Sequence, residues 1–99
     1  MDKHIPHYSL AEIQAQMTSA QAMNLTVSAR GGIRAAGMAH ADALAAVQGL
    51  ARNDFYKSMT THADHRVWQD VYHGEWNGIA LYIKFQRDGE YFVVSFKEL

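Results

Sequence analysis

Two alternating runs dominate the C-terminal third of the chain. From Ile79 to Gln86, and again from Glu90 to Lys97, apolar and polar residues take turns with period two. That is the mark of strands with one face against a core. Asp88-Gly89 lies between them and predicts a two-residue hairpin turn of the I′ type. Such a turn pairs Arg87 with Glu90, Phe85 with Phe92, Ile83 with Val94 and Leu81 with Phe96, the last three pairs forming a core face. The other face then carries Gln86 with Tyr91, Lys84 with Val93, Tyr82 with Ser95 and Ala80 with Lys97. Tyr82 and Lys97 become diagonal neighbours on the solvent side, within reach of one small ligand.

A third strand is expected from Arg66 to Tyr72, rich in aromatic and β-branched residues. Val67, Gln69 and Val71 point one way; Trp68, Asp70 and Tyr72 point the other. Both sets mix apolar with polar, so the direction of Gln69 stays open. Trp68 and Tyr72 fit core packing. His73-Gly74 reads as opening a turn that Asn77-Gly78 completes.

The N-terminal half is helical in pattern. Ser9-Leu10-Ala11-Glu12 has the form of a capping box, and Leu10, Ile13 and Met17 continue an amphipathic helix over about 10–20. Pro6 blocks an earlier start. Asn24–Val27 suits a short strand, and Ser28 a cap for a brief helix that Gly31-Gly32 weakens and Gly37 ends. The alanine-rich run from His40 to Leu50 is a helix by propensity, with Met38, Leu44, Val47 and Leu50 buried; Asn53-Asp54 marks its exit or a new short turn. The sum is an α+β fold: N-terminal helices packed on a C-terminal, mainly antiparallel sheet, in one domain over 1–99.

Composition narrows the function. Ninety-nine residues leave room for one core. The absence of cysteine removes disulfides and thiolate metal sites and fits a reducing cytoplasm. No apolar run approaches the ~18 residues of a membrane span, and Met1–His7 lacks the apolar centre of a secretory signal. Net charge is −1 with histidines neutral. A broad electrostatic nucleic-acid footprint is thereby disfavoured, so any such site is local and built from a few placed cations.

The candidate chemistry sits in Asp54–Thr61, Trp68–Tyr72 and Val93–Lys97. Tyrosine, lysine and a side-chain amide together suit a phosphate and a base better than a metal. Taken singly, Lys57 and Lys97 read as surface lysines, Tyr56 and Tyr82 as half-buried packing residues, and Met59 as filling a core gap. His62 and His65, three apart, offer either an acid–base pair or half of a helical metal site. No third ligand is evident, and exposed loop histidines are the simpler reading.

The segments Asp54-Phe55-Tyr56-Lys57-Ser58-Met59-Thr60-Thr61, Asp64-His65, Trp68-Gln69-Asp70-Val71-Tyr72 and Val94-Ser95-Phe96-Lys97 closely resemble the MqsR family of bacterial toxins. Length, Pro6-His7 and the helix after Ser9 also fit; the stretch from Asn24 to Arg52 is looser. The resemblance implies a small RelE-like domain and a type II toxin–antitoxin toxin. It implies a cytoplasmic, metal-independent endoribonuclease without a cofactor, cutting single-stranded mRNA at GC-containing sites by 2′-hydroxyl attack. The family's proposed catalytic positions fall on Lys57, Gln69 and Tyr82, with Tyr56, Met59, His65 and Lys97 as substrate-binding neighbours. The implied partner is a cognate antitoxin with a zinc-binding domain and a helix-turn-helix, which would carry the zinc and most of the DNA contacts. Lys57 either accepts the 2′-hydroxyl proton or remains a cation that stabilises charge. The alternative reading is a non-catalytic antitoxin-binding or co-repressor module of the same fold.

Overall fold

A computed structural model describes residues 1–99. Five antiparallel strands lie in chain order in one sheet: β1 (Asp2–Lys3), β2 (Phe55–Thr60), β3 (Trp68–Trp76), β4 (Ile79–Asp88) and β5 (Tyr91–Glu98). Helices α1 (Leu10–Gln16), α2 (Val27–Ala35) and α3 (His40–Gln48) cover one sheet face. Ile13, Met17, Ile33 and Val47 from the helical layer meet Tyr72, Phe85, Phe92 and Phe96 from the sheet in a single core. The expected α+β architecture is therefore the one observed.

The β4–β5 hairpin slips by two residues from the expected register. Asp88 pairs with Tyr91, Phe85 with Val94 and Ile83 with Phe96. The turn is Gly89-Glu90, with φ +65° at Gly89 alone, which is the II′ pattern rather than I′. A slip of two preserves which residues face the core, because side chains alternate with that period. Its consequence is that Tyr82 lies directly opposite Lys97, not diagonal to it.

No turn forms at His73-Gly74. β3 runs straight through to Trp76, and the I′ turn sits at Asn77-Gly78, with φ of +47° and +80°. Gly74 is needed for another reason. A Cβ there would stand 3.1 Å from Leu50 Cδ2 and 3.3 Å from Ile83 Cδ1, so the residue clears space where the end of α3 packs on the sheet.

Other helix boundaries also move. Ser9 Oγ accepts from Glu12 N as expected, but Glu12 turns toward Arg87, 3.9 Å away. α1 stops at Gln16 because the Gln48 amide takes the carbonyls of Gln14 and Met17, at 2.8 and 2.7 Å. Thr26, not Ser28, caps α2 by accepting from Ala29 N. The expected strand at 24–27 reduces to one parallel bridge of Leu25 with Val94. In α3 the buried seam runs through Ala43 and Val47, with Leu44 only half-buried.

Gly32 holds α2 against the edge of β5. A Cβ at this position would fall 2.1 Å from the Phe96 carbonyl oxygen, so only glycine permits the approach. At the opposite edge the N-terminal segment is fastened by Asp70. This fully buried carboxylate accepts from Ser58 Oγ (2.6 Å), His7 N (3.0 and 3.1 Å) and Tyr8 N (2.9 Å). The anchor holds β1 alongside β2 and delivers Asp2 to the neighbourhood of Lys57.

Candidate active site

The sheet face away from the helices carries the chemistry. Its residues form three rungs across neighbouring strands. His73, Tyr82 and Lys97 make the first; Lys57, Val71, Lys84 and Ser95 the second; Met59, Gln69, Gln86 and Val93 the third. Same-face residues two apart on a strand are separated by about 7 Å. One extended nucleotide strand crossing this face would thus meet a new rung at roughly each residue.

A register shift in β2 between Phe55 and Lys57 shapes one corner. Phe55 opposes Tyr72 on the core side, whereas Lys57 opposes Val71 on the outer side, leaving Tyr56 as the extra residue. Tyr56 stacks on His73 with ring centroids 4.3 Å apart and 20° between planes. More than half of Tyr56 stays exposed. The Lys57 ammonium lies 5.7 Å from the Tyr56 ring centre and 3.5 Å from the Asp2 carboxylate.

Three of the four lysines in the chain lie on this face: Lys57, Lys84 and Lys97. Lys97 Nζ sits 5.0 Å from the Tyr82 ring centroid. A cleft of about 310 Å³ opens between the sheet and the first turn of α2, lined by Ser28, Tyr82, Lys84, Ser95, Phe96 and Lys97. Two ammonium groups and three hydroxyls converge there, and no carboxylate lines it. Burial pushes the Tyr82 phenol above its ordinary pKa, with Lys57 pulling the other way and Tyr56 adding to the rise. Burial, followed by repulsion from Lys97, lowers the Lys84 ammonium. An anion beside Lys84 would offset both effects.

Gln69 is oriented by a neighbour. Its Nε2 donates to Gln86 Oε1 at 2.8 Å, which leaves its own carbonyl oxygen free to accept. Val71, fully buried yet outside the main core, forms the apolar floor between Lys57 and Lys84.

Six of the seven site residues expected from sequence share this face: Lys57, Gln69, Tyr82, Tyr56, Met59 and Lys97. His65 does not; it is exposed in the loop joining β2 to β3, beyond the third rung. Sequence reasoning missed Lys84, Ser95 and His73. Strand alternation already put Lys84 on the face of Tyr82, which was a usable signal. His73 was hidden by its glycine neighbour, which imitates a turn. No three His, Asp or Glu side chains gather as a metal-ligand group. No helix is long and apolar enough to cross a membrane.

Fold and face together define a class: a small α+β protein presenting a cationic, aromatic sheet surface suited to a phosphate-bearing ligand. The family model described as "Motility quorum-sensing regulator, toxin of MqsA" matches residues 5–98. The chain is also 35% identical over 98 residues to the mRNA interferase toxin MqsR of Escherichia coli (strain K12), covering 99% of each protein. It belongs to the MqsR toxin family, and the match includes the alanine- and glycine-rich middle segment.

Proposed function

We propose that this protein is a toxin endoribonuclease that cleaves mRNA and is held in check by an antitoxin of the MqsA type. The observation that carries the reading is the convergence of Lys57, Gln69, Tyr82 and Lys97, with the Tyr56 ring, on one exposed sheet face. A family relative named as an mRNA interferase supports the same substrate class.

The reaction is attack of a ribose 2′-hydroxyl on the adjacent phosphorus. It leaves a 2′,3′-cyclic phosphate and a 5′-hydroxyl. Lys97 and Lys57 neutralise the charge that grows on the phosphate oxygens. Lys57 takes this role rather than that of a base because it is already paired with the Asp2 carboxylate. Tyr82, kept protonated by burial, gives its proton to the departing 5′ oxygen. Gln69, steadied by Gln86, accepts from a base edge or sugar hydroxyl through its free carbonyl. Tyr56 supplies a stacking surface, worth roughly 1–3 kcal/mol per base at such sites. Cleavage at GC-containing sites without a metal, and an antitoxin bearing zinc and a helix-turn-helix, belong to the same proposal.

The test is cleavage of a synthetic RNA with GC steps by the purified protein in EDTA. Fragments should carry 5′-hydroxyls that a kinase labels without prior phosphatase treatment. Cleavage only after adding a divalent cation would refute the metal-free chemistry. Tight antitoxin binding with no cleavage under any condition would leave the co-repressor reading standing instead.

A further inference from the structure

The roles assigned to the lysines and to Tyr82 leave the 2′-hydroxyl proton without an acceptor. We propose that His73 is a catalytic residue of this site and takes that proton as general base. The inference rests on the ribonuclease reading above and adds a residue to it.

The chain has six histidines, and His73 is the one carried by the three rungs of the outer face. It pairs directly with Tyr82, which in turn pairs with Lys97. The His73 and Tyr82 ring centroids are 6.3 Å apart, tilted by 42°. A phosphate resting on Lys97 and Tyr82 therefore has the imidazole as its neighbour along the same rung. Attacking and leaving oxygens lie on opposite sides of the phosphorus in an in-line displacement. With the phosphorus over the gap between the two rings, the imidazole stands on one side of it and the phenol on the other, which meets that demand.

The imidazole is half-buried, and Tyr56 stacks flat on it at 4.3 Å. The stack fixes the ring plane while both ring nitrogens remain without a protein partner. A neutral imidazole held this way has a free nitrogen lone pair at the site. Imidazole is also the side chain that exchanges protons between pH 5 and 8. The groups around it are Tyr56 and Lys57 from β2, the latter paired with Asp2 of β1, Tyr82 and Lys84 from β4, Lys97 from β5, and Glu75 two residues along its own strand.

The step balances. The imidazole nitrogen takes the 2′-hydroxyl proton as the O2′–P bond forms. The P–O5′ bond breaks, and O5′ receives the phenolic proton of Tyr82. Imidazolium and phenolate then recover their starting forms by exchange with water.

His73→Phe tests the proposal, since phenylalanine keeps the stack on Tyr56 and removes the proton acceptor. His73→Gln serves as the second variant should the first lose its fold. Both should melt near the wild-type temperature, with kcat on a GC-containing RNA lower by roughly a hundredfold or more and KM little changed. The wild-type pH–rate profile should show a limb from the base that both variants lack. A substrate with sulfur in place of the 5′ leaving oxygen needs no acid, so it should rescue Tyr82→Phe but not His73→Phe. Variant activity within threefold of wild type, or rescue of His73→Phe by the sulfur substrate, would overturn this assignment alone. A wild-type protein that cleaves no RNA would overturn the ribonuclease reading itself.

Discussion

Replacing Asp70 by alanine should unfasten the N-terminal segment and remove a large share of the stability of the domain. The carboxylate is fully buried and accepts from three residues: Ser58 through its hydroxyl, and His7 and Tyr8 through their amides. Alanine leaves all three donors without a partner. The Ser58 hydroxyl is sealed in the interior, whereas the two amides are part-buried and recover some hydration. At about 1–3 kcal/mol for each orphaned buried donor, discounted for the two amides, the loss is about 3–5 kcal/mol. A domain of this length holds roughly 5–15 kcal/mol in total, and each kcal/mol moves its melting point by about 4–8 °C. The midpoint should therefore drop by about 12 °C or more. Asp70→Asn should cost less. Its amide group can donate to the Ser58 hydroxyl, while its carbonyl still accepts from the backbone amides. Urea denaturation followed by circular dichroism gives the free energies, and an unchanged slope would confirm a loss of stability rather than of compactness. Hydrogen exchange at the His7 and Tyr8 amides should accelerate in both variants, more in the alanine form. Ser58→Ala and Asp70→Ala should be strongly non-additive, because each removes the same contact. A cost below 1 kcal/mol for Asp70→Ala, with exchange at His7 and Tyr8 unaltered, would refute the account of this anchor.

Three further outcomes follow from the same geometry. Gly32→Ala should destabilise the domain by several kcal/mol, roughly the cost of a forced overpacking, since its Cβ meets the Phe96 carbonyl at 2.1 Å; Gly31→Ala, with nothing within 4 Å, should instead stabilise α2 by about 0.5–1 kcal/mol in thermal denaturation. Tyr72→Phe should be neutral or stabilising, because the buried Tyr72 hydroxyl has no hydrogen-bond partner. Burial raises the Tyr72 phenol from 10 to about 12, so the unfolded chain releases this proton first; stability is unaffected below pH 10, falls as pH rises from there to about 12, and that part of the alkaline decline should vanish in Tyr72→Phe. Lys84→Met should weaken binding of a non-cleavable 2′-deoxy oligonucleotide and lower the salt slope by about one phosphate contact, read by fluorescence anisotropy across salt concentrations.

What could be read from the sequence depended on parity more than on register. The hairpin turn was misplaced by two residues, yet every β4 and β5 side chain stayed on its expected face. Tyr82 and Lys97 therefore came together despite the wrong turn. β3 gave less. Its core side holds Asp70, a polar residue that no alternation rule would bury, because its three donors come from segments distant in sequence. Without knowing that Asp70 faces inward, the direction of Gln69 could not be chosen. Glycine caused the remaining misreadings. A strand glycine serves a turn or a close approach, and only the position of Leu50 shows which applies at Gly74. The β2 irregularity that turns Tyr56 and Lys57 to the same side leaves no composition signal at all.

The near-zero net charge looked unfavourable for an RNA-cleaving protein, and the fold resolves the conflict through placement. Three of four lysines stand on the face that also holds Tyr82, while Asp70 is turned inward and held by hydrogen bonds, and Glu12 and Asp64 are occupied by Arg87 and Arg66. The field that matters to a phosphodiester is set within about 8 Å at physiological salt, not by the sum over the chain. A neutral protein with a segregated cationic face gives up long-range attraction for polyanions but keeps full charge at the reacting phosphate. Such a design binds RNA weakly except where a strand lies across the rungs. On the proposed ribonuclease reading, specificity would then rest on the Gln69 amide and the Tyr56 ring, whose contacts salt does not screen.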